Sequence, residues 1–178
     1  NLGSPVARTP SAAINWNWTG SLPQEVFEKN YMTARANLLE QQYSKTVRAS
    51  LEVGEFVRDA MYNIDGSGNH TFKSNPGGAL DVGKWAPSNP LAAQLHSVAA
   101  MIAARASLGT TRQVFFVSIG GFDNHGDQFG NNGGTKTLLS GKHFTLLNYV
   151  DEALKKFYDA TVSMGVADNV TTMTMSDF

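Results

Sequence analysis

The sequence contains no cysteine, which excludes disulfide frameworks, thiolate nucleophiles and cysteine-ligated metal sites while leaving the redox compartment open. It also lacks any apolar run approaching the roughly 20 residues of a membrane helix. The most apolar stretch, Val98 to Ala104, is short and flanked by His96 and Arg105. Neither charge dominates: 14 Lys and Arg stand against 15 Asp and Glu, for a net charge of −1, and no window gathers several basic residues on one face. The electrostatic footprint of a nucleic-acid binder is therefore absent. No methionine and no basic-then-apolar leader opens the chain at Asn1, so a targeting segment is expected to have been removed or to lie outside it.

What remains is the composition of an ordinary globular domain. The 178 residues, 42% hydrophobic and 16% charged, suffice for one sizeable core but not for two full domains. Residues 1–20, with Pro5, Pro10 and scattered Ser, Ala and Asn, predict an irregular arm anchored by Trp16 and Trp18. Ser21 and Pro23 offer a helix start, after which Phe27, Tyr31, Ala34, Leu38, Leu39, Tyr43 and Val47 recur at helical spacing, with an interruption expected near Gly54. Residues 63–90, dense in Gly, Asn, Ser and Pro, predict a long surface excursion.

Asn89 and Pro90 open a second helix whose stripe is Leu91, Leu95, Val98 and Ile102, and Gly109 stands where it should stop. The apolar run Val114 to Val117 suits a strand over Arg112–Ile119 covered on both faces, as in a parallel sheet. A Gly- and Asn-rich loop follows. His143, Leu147, Val150, Leu154 and Phe157 mark a third helix ending about Gly165, and Val170–Met175 reads as another strand. Strand, helix and strand together predict a βαβ unit, and the fold class expected is α/β.

Ligands in open α/β sheets collect beyond the carboxyl ends of the strands. Asp123 lies just past the first of these strands and Asp177 just past the second, so parallel neighbours would turn both carboxylates toward one crevice. Gly120 and Gly121 permit a sharp turn, after which Asp123 and His125 offer an oxygen and an imidazole nitrogen, a mixed set that zinc and manganese accept. The same spacing also describes a solvated turn in which Asp123 caps backbone amides and His125 faces water.

The segment Ile119 to Gln128, with His143, Leu146, Leu147, Asp151, Ala153, Leu154 and Phe157 and then Val170 to Phe178, resembles the domain-of-unknown-function 1501 family. That family usually has Thr where this chain has Asn124. The resemblance covers about half the chain, while residues 1–88 match only in general character. Members are grouped with alkaline-phosphatase-like and sulfatase-like hydrolases, which implies a doubly wound, mostly parallel sheet flanked by helices, present here as a fragment of a single domain whose flanking parts lie beyond both ends. It further implies Asp123, His125 and Asp177 as ligands of a divalent metal (zinc, manganese or calcium), although Phe178 stands where the wider group has His. The activity implied is hydrolysis of small anionic phosphate or sulfate esters, by a protein carried by a twin-arginine leader to the periplasm or the cell exterior. The catalytic residues stay unassigned. A binding or structural protein that keeps the fold without the chemistry is the alternative.

Lesser features have plainer explanations. His143 suits a polar helix-start position packing on Leu147, and His70 and His96 suit the surface. Asp151 and Lys155 have the spacing of an exposed ion pair. Asp127, Asn131 and Asn132 lack the ligand alternation of an EF-hand. Asn17, Asn69 and Asn169 head Asn-x-Thr triplets that accept glycans only in an exported, glycosylated chain.

Overall fold

A computed structural model describes residues 36–65, 69–86, 88–126, 128–132 and 134–176, and the chain divides into two compact units, residues 1–71 and 72–178. In the first unit, Asn37 starts helix α1 (Leu38–Met61): its backbone is extended and its Oδ1 accepts from the amides of Leu39 at 2.9 Å and Glu40 at 3.4 Å. Glu40 in the first turn and Arg58 in the last match the helix dipole. The helix runs through Gly54 without a break and ends where Tyr62 turns extended. The start expected at Ser21 lies outside the described residues, as does the arm 1–20. Leu38, Leu39 and Tyr43, expected on a covered stripe, are exposed. Strand β1 (Tyr62–Ile64) pairs with β2 (His70–Phe72). Asp65 closes the turn between them, accepting from the amide of Asn69 at 2.9 Å and from its side chain at 3.0 Å.

The second unit is organised by helix pairing. Helix α2 (Pro90–Ala103) buries Leu91, Ala92, Leu95, Val98, Ala99, Ala100, Ile102 and Ala103, a face whose alanines let another helix come close. A short helix α3 (Arg105–Leu108) comes next and stops at Gly109, whose left-handed φ of 65° lets Thr110 donate back to the Arg105 carbonyl at 3.1 Å. After the antiparallel hairpin β3 (Gly130–Asn132) and β4 (Thr135–Thr137) comes helix α4 (Lys142–Ser163), which packs on α2 and buries Ala153, Phe157, Ala160 and Thr161. A buried Leu or Phe in this pair contributes roughly 1.5–3 kcal/mol.

The pairing is keyed by Asn89, which is 1% exposed. Its Oδ1 caps α2 through the amides of Leu91 at 3.1 Å and Ala92 at 3.2 Å, while its Nδ2 donates to the Tyr149 carbonyl of α4 at 2.8 Å. One side chain thus ends one helix and fixes the register of the other. Residues 73–86 have little regular structure beyond the 3₁₀ turns Pro76–Gly78 and Val82–Lys84, yet they are packed: Leu80 and Trp85 are buried, and the indole donates to the Ala79 carbonyl at 3.0 Å. His96, expected at the surface, is half-buried against this segment. Its Nε2 is 3.0 Å from the Leu80 carbonyl, and its ring lies against Trp85 (centroids 4.9 Å) and edge-on to Phe72 (5.7 Å).

Among the described residues the doubly wound parallel sheet is not formed, and the only sheets are the two-stranded pairs β1–β2 and β3–β4. Neither 112–119 nor 170–175 is a ladder strand, so α4 completes no βαβ unit. A parallel strand needs backbone partners and helical cover on both faces. Here Val114, Phe116, Met173 and Met175 are 83%, 92%, 77% and 84% exposed. An apolar run records a capacity for burial, and the partners that would realise it are not among the described residues.

The two capping asparagines differ in what they hold. Asn89→Ala removes both the cap and the cross-helix bond and should lower the unfolding free energy by about 2 kcal/mol in urea titration. Asn37→Ala, which removes an exposed cap alone, should lower it by at most about 1 kcal/mol. Burial holds the His96 imidazole below its ordinary value of 6.5, the Leu80 carbonyl partly opposing that shift. The folded state therefore binds protons less readily than the unfolded one: the His96 contribution is complete above about pH 6.5 and declines as pH falls through the folded value. Melting temperatures should drop between about pH 7 and about pH 5, and His96→Phe should flatten that slope.

Candidate functional site

The segment leaving Gly109 reaches the candidate turn along the surface of α2. Gln94 holds it there: its carboxamide oxygen accepts from the Ser118 amide at 3.1 Å and its nitrogen donates to the Ser118 carbonyl at 2.8 Å. This two-point contact reproduces with a side chain the bonds a neighbouring strand makes. Two residues further on the chain turns. Of the two glycines, Gly121 is the constrained one, at φ 91°, a backbone that side-chain-bearing residues rarely adopt. Phe122 then packs edge-on against His143 in the first turn of α4, with centroids 6.2 Å apart and planes at 84°. His143 is thus an anchor for the turn, with Phe122 as its ring partner.

Beyond that anchor, Asp123 Oδ1 lies 2.9 Å from His125 Nδ1, both side chains well exposed at 73% and 86%. The structure brings these two predicted residues together, but in a particular relation: the carboxylate orients the imidazole. With the hydrogen on Nδ1, the outward nitrogen Nε2 carries the lone pair, the arrangement of carboxylate-oriented metal-ligating histidines. Asp177, the third predicted ligand, lies outside the described residues, as do Phe178 and Asp127. A metal centre takes roughly three or four protein ligands. Among the described residues no group of three or more His, Asp or Glu could hold one, so Asp123 and His125 do not by themselves complete such a centre.

Between them stands Asn124, which the residue pattern did not single out. Both ends of its carboxamide are buried and neither has a hydrogen-bond partner. Such a group loses its hydration without compensation, at roughly 1–3 kcal/mol per unmade bond. The departure from Thr at this position was the one visible signal. The turn therefore presents an exposed carboxylate and imidazole flanking an inward-facing, unbonded amide.

Other candidates have structural employment. Asn131 accepts from the Gly134 amide at 2.8 Å and so closes the β3–β4 hairpin. Lys155 pairs with Asp159 at 2.7 Å rather than with Asp151; the hydrogen bond to Asp159, then its charge, raises the Lys155 pKa. Asn69 is engaged with Asp65, and Asn169 sits exposed in the 3₁₀ turn Ala167–Asn169. An open cleft of about 400 Å³ lies along α4 beside Trp85. Its lysines are committed: Lys84 to the Gly77 carbonyl, Lys156 to the Lys84 carbonyl and Lys155 to Asp159. None of Asp123, Asn124 and His125 lines it.

No protein-family model, no curated protein and no solved structure matches this chain. The resemblance to the domain-of-unknown-function 1501 family rests on the motif residues alone. No helix among the described residues is long and apolar enough to cross a membrane.

The unbonded amide sets a diagnostic expectation. Asn124→Leu keeps the shape and removes both orphaned groups, and should leave stability unchanged or raise it by about 1 kcal/mol in urea titration. A clear loss would mean that the amide has a partner in solution.

Proposed function

We propose that this chain is part of an exported, divalent-metal-dependent hydrolase of small phosphate or sulfate esters, with the turn Gly120–His125 as one wall of its site. The observation that supports this is the exposed Asp123–His125 pair, held on a turn that Gly121 and the Phe122–His143 contact define. An exposed hydrogen-bonded pair of this kind adds little to stability, so the pair is not explained by folding. Asp123 fixes which imidazole nitrogen faces outward and limits the rotation of the ring. His125 offers Nε2 as a ligand donor. Asp177 and residues outside the described ones supply the remaining ligands on this reading. When bound, the metal supplies charge stabilisation of the ester oxygens. Zinc and manganese suit a mixed imidazole and carboxylate set better than calcium does.

The test is direct. Equilibrium dialysis of the intact protein against zinc and against manganese should show saturable binding. His125→Ala should abolish that binding, and Asp123→Ala, which removes the orienting partner, should weaken it by about 10- to 100-fold. Hydrolysis of p-nitrophenyl phosphate or p-nitrophenyl sulfate should disappear on chelation. If no metal binds and hydrolysis is absent or indifferent to both substitutions, the hydrolase reading fails and a non-catalytic binding or structural protein takes its place.

A further inference from the structure

The segment Gln113–Ile119 has the geometry of a strand with one edge closed and one edge open. Side-chain cover rises at every second residue: Gln113, Phe115 and Ile119 are half-buried and Val117 is 37% exposed, whereas Val114 and Phe116 are 83% and 92% exposed, and a period of two is the signature of extended backbone. In such backbone the N–H and C=O of one residue point to the same edge and those of the next residue to the other. The Gln94 carboxamide takes both groups of Ser118, so it marks the edge shared by Val114, Phe116 and Ser118. Gln113, Phe115, Val117 and Ile119 carry the opposite edge, and among the described residues their backbone groups make no hydrogen bonds.

From Gln113 to Phe122 that edge also carries no charge and no proline, two of the features that keep edges apart, and Phe116 is 92% exposed. We propose that this edge pairs with itself: two copies of the chain join antiparallel across Gln113–Ile119 about a two-fold axis at Phe116.

The register is set by which edge is open. Centring on Phe116 sets Phe115 opposite the copy's Val117 and Gln113 opposite the copy's Ile119 as hydrogen-bonded pairs, using all four open-edge residues of each chain and making about eight new backbone bonds. Phe116 meets its own copy in a non-hydrogen-bonded pair, where opposed side chains come closest, and Val114 meets the copy's Ser118. Arg112, the nearest charge, falls opposite the copy's Gly120, so no like charges are opposed. A partner with a charged strand would leave that charge against Phe116 or Val114. A second copy brings neutral, apolar residues in the matching register.

Sedimentation of the intact protein should show a monomer–dimer equilibrium, and hydrogen exchange at the amides of 113, 115, 117 and 119 should slow as protein concentration rises. Phe116→Lys sets two ammonium groups against each other at the axis and should weaken dimerisation by at least about tenfold with an unchanged circular dichroism spectrum, because the side chain is exposed. Val117→Pro, which deletes a donor on the pairing edge, should do the same, whereas Val114→Pro, on the Gln94 edge, should not. A protein that stays monomeric up to about 100 µM overturns the proposal. So does protection of these amides in the monomer, which would place another segment on the edge, and so does open-ended assembly in place of a dimer.

Discussion

The carboxamide of Asn89 faces two helices at once. Its oxygen satisfies the first free amides of α2, and its nitrogen reaches the carbonyl of Tyr149 in the middle of α4. Few side chains other than Asn can do both, because the capping position needs a short acceptor and the cross-helix bond needs a donor on the same group. The other contacts of the second unit are consistent with the register these hydrogen bonds set. With α2 started at Pro90, Gln94 comes one turn later, where it holds Ser118, and His96 points at Leu80, Trp85 and Phe72. With α4 in register, its first turn brings His143 to Phe122. The candidate turn hangs between Gln94 and His143, one anchor on each helix.

How much of this was legible in the sequence depended on whether the signal was local. Asn89-Pro90 and Gly109 marked the helical stretch correctly because a cap, a fixed φ and a left-handed stop are properties of a few adjacent residues. The end of α4 near Gly165, at φ 66°, was legible for the same reason. The apolar run Val114–Val117 was not, since a strand exists only when another segment supplies its ladder, and nothing in a run of Val and Phe names that segment. The parallel sheet was inferred from two such runs and a helix between them, and it fell with them. Lys155 shows the same limit at small scale: Asp151 and Asp159 are both one helical turn away, and spacing alone cannot choose between them.

The candidate site divides along the same line. That Asp123 and His125 belong together was readable from their spacing after two glycines. Their direct contact was not: spacing does not show that Asp123 Oδ1 lies 2.9 Å from His125 Nδ1. Only Gly121 of the two glycines is conformationally required, and Asn124 emerged as a third member because burial of its amide is a tertiary property. His96 was missed in the other direction. A histidine on a helix facing a Gly- and Pro-rich stretch looks exposed until Trp85 and Leu80 fold over it.

Stability arguments separate the parts of this turn that hold it in shape from the parts available for chemistry. Gly121 and the Phe122–His143 contact define the backbone path, and neither depends on Asp123 or His125. The exposed pair contributes little, as solvent-exposed hydrogen bonds generally do, while the buried amide of Asn124 lowers stability rather than raising it. A turn whose scaffold is sound but whose three central side chains are, in energetic terms, neutral, unfavourable and neutral departs from the consistency that marks purely structural segments. Departures of this kind are where binding and catalysis are usually found, because a group that the fold leaves unsatisfied is one a ligand can satisfy. That reasoning, more than the pairing of Asp with His, is what distinguishes the turn from the other polar loops of the chain: Asp65 and Asn69, and Asn131 with Gly134, spend their hydrogen-bonding capacity on the backbone they shape.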